Sequence, residues 1–351
     1  MIINIFKRFL NGFSIICYNN YDYKGDTMDF KNKQHRYYAL DYYLKEKYGK
    51  KVFKIALNGN FTCPNRDGNI STRGCLFCSE TGSGDFAGNR FEPLEKQFET
   101  IKTIMESKWQ NGLYIIYFQA NTNTYAPLDY LKDLFEKAIK LDPKIVAISI
   151  ATRCDALNEE ILEYLEELNQ RIPVWVELGL QTIHSKTMRF LNLGYDELTF
   201  EKAVYSLSER KIEVIAHIIN GLPGEDKEMM LDTIGFLNKL PIKGLKIHSL
   251  FISKNTILGK IYQKEPFPIL SLEEYVDIVT EQLAFLREDI IIHRINGDAP
   301  RDDLIAPLWS LKKLVIMNEI DKRMKALSFY QGCKYTDKEQ RDINLTLIKQ
   351  K

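Results

Sequence analysis

The chain has almost no net charge, no long apolar run and few cysteines, and each shortage excludes something. Lys and Arg number 48 against 47 Asp and Glu in 351 residues, a formal net charge of +1. The whole-chain balance therefore carries no signal for nucleic acid or for an acidic partner. No uninterrupted apolar stretch approaches the ~20 residues of a membrane-spanning helix, so no membrane association is expected. Six cysteines are too sparse for the disulfide framework of a small secreted domain. Lys7 and Arg8 precede an apolar stretch at 9–17, but Asn11 and Gly12 interrupt it and no Ala-x-Ala-like cleavage site follows. Residues 1–28 read as an extension, or as sequence upstream of a start at Met28. A reducing cytoplasm is the expected compartment. Internal repeats and low-complexity tracts are also missing.

What is present is an ordinary globular composition, 45% hydrophobic and 27% charged. The charge is unevenly spread. Residues 1–60 hold 11 Lys and Arg against 5 Asp and Glu (+6), and 301–351 hold 11 against 7 (+4), so the middle is 26 against 35 (−9). Basic flanks around an acidic centre fit either a reach toward phosphate or plain solvated faces. From residue 51, short runs rich in Val, Ile, Leu and aromatics alternate with helical patterns. Strands are expected at 52–57, 113–119, 145–151, 174–180, 212–219 and 244–251, continuous enough to be parallel strands buried on both faces. Helices are expected at 94–109, 128–140, 158–169, 198–210, 227–240 and 272–288. In 158–169, Ile161, Leu162, Tyr164, Leu165 and Leu168 form one apolar face.

Six strand–helix units predict an α/β fold: a partial, TIM-like (βα)6 barrel, either open or with two strands unrecognised. Residues 1–50 would be an N-terminal helical extension, 51–288 the barrel, and 289–351 an α-rich tail, most helical at 308–327. Chemistry in parallel α/β folds gathers at the carboxyl ends of the strands. That places the loops at 58–88, 120–127, 152–157, 181–184, 220–225 and 252–256 around one mouth.

The first of these loops holds Cys63, Cys75 and Cys78, a C-x11-C-x2-C spacing. Three thiolates on a Gly-rich loop suit a metal centre. A structural zinc takes four protein ligands, and the next His after Cys78 is His184, too distant for finger spacing. Iron–sulfur clusters usually take four cysteines, so three leave one iron open. The spacing favours the open cluster over zinc, which remains the alternative. Cys17, Cys154 and Cys333 are scattered and support no further site.

The triple-Cys loop after the first strand, with Phe77 just before the last Cys, resembles the cluster loop of the radical S-adenosylmethionine superfamily, whose commonest spacing has a shorter first gap. Further segments follow successive strands: Phe118-Gln119-Ala120-Asn121-Thr122, Ala151-Thr152-Arg153-Cys154-Asp155, Val176-Glu177-Leu178-Gly179-Leu180-Gln181, Ala216-His217 through Gly221-Leu222-Pro223-Gly224-Glu225, and Leu245-Lys246-Ile247-His248. As a set they are similar to the radical half of the Elongator catalytic subunit. They are closer still to bacterial YhcC-type proteins, whose tail resembles residues 297–301. The resemblance runs from about residue 30 to 335. It implies a 4Fe-4S cluster on Cys63, Cys75 and Cys78, S-adenosyl-L-methionine chelating the open iron, and a 5′-deoxyadenosyl radical made by reductive cleavage. An electron donor such as flavodoxin or ferredoxin is implied as well.

On this resemblance Phe77 would pack near the adenine, and Gln119, Asn121, Thr122 and Asn123 would hold the methionine amine. Glu177, a carboxylate inside an apolar strand, would contact the cofactor's ribose or amine, since burying it unpaired is costly. Arg153 and Gln181 would bind carboxylate or ribose, and Gly221 and Leu222 would form the adenine turn. His217 and His248, on adjacent strands, join Glu177 as catalytic candidates. Asp298 and Arg301 are expected in a structural ion-pair network. The Elongator resemblance implies a tRNA substrate, with carbon 5 of the wobble uridine as the position modified. This chain has no room for the acetyltransferase domain found there, so hydrogen abstraction on an already installed side chain fits better. Lys31, Lys33, Arg36, Lys45, Lys47, Lys50, Lys51 and Lys54, interleaved with Tyr37, Tyr38, Tyr42, Tyr43 and Tyr48, would meet RNA or else form a helix closing the barrel's base. A radical enzyme for a small molecule and a zinc-stapled interaction protein are the competing readings.

Overall fold

The computed structural model describes residues 35–336 apart from 81, 83 and 85. The segment at 1–28, Cys17, Lys31 and Lys33 lie outside the described residues. The alternating pattern folds as expected: β1 (Val52–Leu57), β2 (Leu113–Phe118), β3 (Ile145–Thr152), β4 (Val174–Gln181), β5 (Glu213–Asn220) and β6 (Gly244–Ser249) pair in sequence order, all parallel. A seventh strand, β8 (Ile291–Arg294), pairs parallel with β6 and ends the sheet. It falls within the segment expected to be a helical tail, and at four residues it is too short to show a period. A short antiparallel pair, β7 (Ile252–Ser253) with β9 (Leu304–Ala306), stands apart. The strands thus form an open half-barrel whose edges are β1 and β8.

The outer layer follows from helical apolar faces and local caps. Asn158, Asp196, Asp226 and Ser271 each accept a backbone N–H at a helix start. Ser271 and Glu274 complete a capping box. The last helix among the described residues, Lys313–Ala326, packs on Leu272–Phe285. Among the described residues no helix is long and apolar enough to cross a membrane.

The N-terminal tyrosine-rich segment closes the base. Helix α1 (Leu40–Tyr48) packs on both edge strands, β1 and β8. Its Leu40 and Leu44 join Val52, Ile115, Ala147, Trp175, Ile215 and Ile291 in one buried cluster at the amino ends of the strands. Tyr38, Tyr43 and Tyr48 lie against that cluster, and Tyr37 is buried. Their rings are therefore taken up by packing rather than displayed for stacking on RNA. Asp41 pairs with Lys45 and Lys51, and Lys54 points inward.

Candidate active site

Inward-facing positions alternate along each strand, so the barrel interior is stacked in levels. Above the apolar base comes a polar level that the sequence only partly revealed. Glu177 on β4 is its centre, with a side chain wholly removed from solvent. Its Oε1 accepts from Lys54 Nζ of β1 at 2.6 Å and from Ser149 Oγ of β3 at 2.7 Å. Its Oε2 accepts from His217 Nε2 of β5 at 2.8 Å and from Lys246 Nζ of β6. Lys246 Nζ also lies 3.1 Å from the Tyr117 hydroxyl of β2. An ionised carboxylate only accepts, so His217 carries its proton on Nε2. His248 stands over His217, ring centroids 5.4 Å apart, with its own Nε2 buried and without a hydrogen-bond partner.

These groups set one another's protonation. Burial would push the Glu177 carboxyl up, but the Lys246 and Lys54 charges and the His217 bond hold it well below the carboxylate range. Burial drives Lys246 down to about 7 against the pull of Glu177, with Lys54 and Arg294 adding repulsion. Burial and Lys246 likewise lower His217 to about 4. Neutral imidazoles beside an ionised carboxylate are the result.

Above this level the cysteine loop crosses the mouth. Arg66 braces it, donating to the carbonyls of Cys78 (3.2 Å), Glu80 (3.0 Å) and Ser79. Buried Asn65 ties it to the Asn192 carbonyl at 2.6 Å and donates to Cys75 Sγ at 3.5 Å. Burial raises the Cys75 thiol to about 12, with Cys78 and Cys63 adding and Arg153 opposing. A bound cation would be needed to hold this thiol as thiolate at neutral pH. Among the described residues no three His, Cys, Asp or Glu side chains converge on a single ion.

A cavity of about 250 Å³ joins the two levels. Of the residues expected at the site, Cys63, Cys75, Cys78, Phe77, Gln119, Asn121, Thr122, Arg153, Glu177, Gln181, His217 and His248 all line it. Gln181 sits on a β4 irregularity with φ +69°, which turns it toward the mouth. Three expected residues are elsewhere. Asn123 is buried with its amide on the Ala151 carbonyl at 2.7 Å. The Gly221 N–H meets Met230 Sδ at 3.2 Å, and Leu222 packs in an apolar cluster with Leu76, Met188 and Leu250. Ile219 and Leu250 line the cavity on that side instead. The expectation that the Glu177 carboxylate itself meets the cofactor does not fit either, because protein donors already occupy both oxygens. Arg153 is also engaged, in a bidentate pair with Asp155 (2.8 and 2.6 Å) and 4.8 Å over the Tyr195 ring. Asp298 and Arg294 form an ion pair at 3.2 Å that also includes Lys313.

Sequence reasoning missed Lys54, Lys246, Tyr117 and Arg294 as site residues. The first two carried the same signal as Glu177, a charge inside an apolar strand.

Comparison with known proteins agrees with this architecture. A Radical SAM superfamily model matches residues 66–237, starting just after Cys63, and a Radical_SAM C-terminal domain model matches 242–326. YtqA of Bacillus subtilis (strain 168) is 46% identical over 309 residues, covering 88% of this chain and 96% of that protein. YhcC of Escherichia coli (strain K12) is 34% identical, covering 80% and 89%. A tRNA uridine(34) acetyltransferase of Methanocaldococcus jannaschii is 26% identical over 163 residues, 45% of this chain but only 29% of that protein. The solved structure of Methanocaldococcus infernus Elp3 overlays with a TM-score of 0.59 at 16% identity, covering 80% of this chain and 64% of that one, which shows a shared fold. The chain belongs to the YtqA and YhcC family of the radical S-adenosylmethionine superfamily, enzymes that use a 4Fe-4S cluster and S-adenosylmethionine.

Proposed function

We propose that Cys63, Cys75 and Cys78 hold the cluster, that the rim above Glu177 seats S-adenosylmethionine, and that the polar mid-barrel level faces the substrate. The observation that carries this is the convergence of all three cysteines and the Glu177 network on one cavity. The residues suit the group. Three thiols lining one cavity suit a cluster, in which each thiolate takes its own iron. The Asn65 amide on Cys75 Sγ is the kind of hydrogen bond that tunes a cluster sulfur. The Arg153 charge beside the loop favours the Cys75 thiolate. When bound, cluster and cofactor supply one electron and a 5′-deoxyadenosyl radical that abstracts hydrogen, the electron coming from a donor such as flavodoxin or ferredoxin. The protein's share is binding and orientation. Gln119, Asn121, Thr122 and Gln181 offer polar atoms to the cofactor, and Phe77 an apolar wall. Glu177 acts as a positioning residue, fixing Lys246 and His217 at the reaction space.

The substrate we propose is tRNA, at the carbon-5 side chain of the wobble uridine. Its support is the similarity to the acetyltransferase named for uridine 34 and the fold shared with Elp3. A small-molecule substrate is the second reading, favoured because the N-terminal tyrosines pack into the barrel base. Release of 5′-deoxyadenosine, measured with and without bulk tRNA, separates them. Stimulation by tRNA is expected on the first reading, and an unchanged rate hands the case to the second.

A further inference from the structure

Cys75 is gripped on both sides along the chain. Leu76 donates its N–H to the Leu191 carbonyl at 3.0 Å, and the Gly74 carbonyl accepts from the Asn192 side chain at 2.8 Å. The Gly74 N–H in turn reaches the Asn65 carbonyl at 2.7 Å. Leu191 and Asn192 follow the short helix Ser185–Phe190 beyond β4, so the loop after β1 is fastened to the segment after β4. Asn192 holds φ +57°, a left-handed conformation that asparagine adopts more readily than most residues.

Asn65 sits inside this clasp, wholly removed from solvent. Its orientation is settled without reference to the sulfur. The Asn192 carbonyl 2.6 Å away only accepts, so the atom facing it is the amide nitrogen, Nδ2. The same nitrogen lies 3.5 Å from Cys75 Sγ and has a second hydrogen to give it. Oδ1 is buried and has no hydrogen-bond partner among the described residues. Keeping an amide with one half unsatisfied is costly unless the other half is used. Here the other half reaches a main-chain carbonyl and a cysteine sulfur.

We infer that Asn65 is a positioning residue that acts through Cys75, its amide raising the reduction potential of the cluster and so easing the one-electron reduction. The inference rests on the reading above that Cys75 is a cluster ligand. A hydrogen bond to a ligand sulfur stabilises negative charge there. Reduction adds negative charge, so the donor favours the reduced state more than the oxidised one. The electron comes from the flavodoxin- or ferredoxin-type donor, and Asn65 keeps its protons throughout.

A redox titration of the anaerobically reconstituted full chain, without S-adenosylmethionine and followed by electron paramagnetic resonance, tests this in wild type, Asn65→Ala and Asn192→Gly. Asn65→Ala removes the donor to the sulfur. Asn192→Gly keeps the left-handed turn and the main-chain carbonyl but releases Gly74, so it reports loosening of the loop alone. Asn65→Ala should make reduction at least about tenfold less favourable, a fall of about 59 mV in midpoint potential, with Asn192→Gly near wild type. An unmoved potential in Asn65→Ala overturns the proposal. So does an equal or larger fall in Asn192→Gly, which would make loop rigidity the cause. A folded Asn65→Ala that takes up no iron and sulfide overturns it too, because the amide would then be a brace and not a tuning donor. Should that variant fail to fold, resonance Raman spectra of wild type reconstituted in H2O and in D2O still decide. An exchangeable proton on the sulfur should shift a terminal iron–cysteine stretch, and identical spectra overturn the proposal. The iron and sulfide content of wild type reports separately on the cluster reading. A loaded wild type whose potential ignores Asn65 sinks this inference alone, whereas an unloaded wild type sinks the reading and the inference with it.

Discussion

Glu177 meets the cost of burying a carboxylate with donors from four other strands: Lys54, Ser149, His217 and Lys246. Removing one member of such a network leaves the rest uncompensated, so Glu177→Gln should destabilise the fold by about 3–5 kcal/mol in denaturant unfolding. Adding Lys246→Met should restore part of that loss, because the variant then buries one unpaired cation fewer. Equal or greater loss in the double variant would count against the pairing. His217 gives a pH signature. Its proton affinity in the fold is depressed from 6.5 to about 4, so between those values the unfolded chain binds more protons. That contribution is complete above pH 6.5 and lost as pH falls toward 4. His217→Gln should therefore flatten the dependence of Tm on pH in this window, and an unchanged slope would contradict the assignment. Glu177 was legible in the sequence as a charge interrupting an apolar strand. Lys54 gave the same sign but sat among other lysines, and its inward direction became visible only once β1 faced β4. Gly221 and Leu222 lie off the cavity, since a Gly-Leu-Pro-Gly turn reveals flexibility, not the side of the strand end it packs on.

At the scale of elements, periodicity located six strands to within two residues, since each is a buried run bounded by turn residues. The seventh escaped because four residues show no period and two of them, His293 and Arg294, are polar. The α1 helix was legible as amphipathic, but whether its tyrosines faced solvent or protein was not. Packing decides that. The apolar base and α1 lie below the charged level. Leu44→Ala, deep in that base, should cost about 2–5 kcal/mol in thermal or denaturant unfolding while leaving reconstituted iron content unchanged. Loss of iron without loss of stability would mean that base and mouth are not separate units.

The described residues form an open half-barrel with a polar, largely buried level between an apolar floor and a cysteine-bearing mouth. The central claim is that Cys63, Cys75 and Cys78 hold the cluster that drives cofactor cleavage. Its most direct measurement is anaerobic reconstitution with iron and sulfide, followed by reduction and assay of 5′-deoxyadenosine from S-adenosylmethionine, for wild type and Cys75→Ala side by side. The account predicts a brown wild-type protein that releases 5′-deoxyadenosine, and a folded variant that retains neither iron and sulfide nor cleavage. Full iron and sulfide with undiminished cleavage in Cys75→Ala would contradict it.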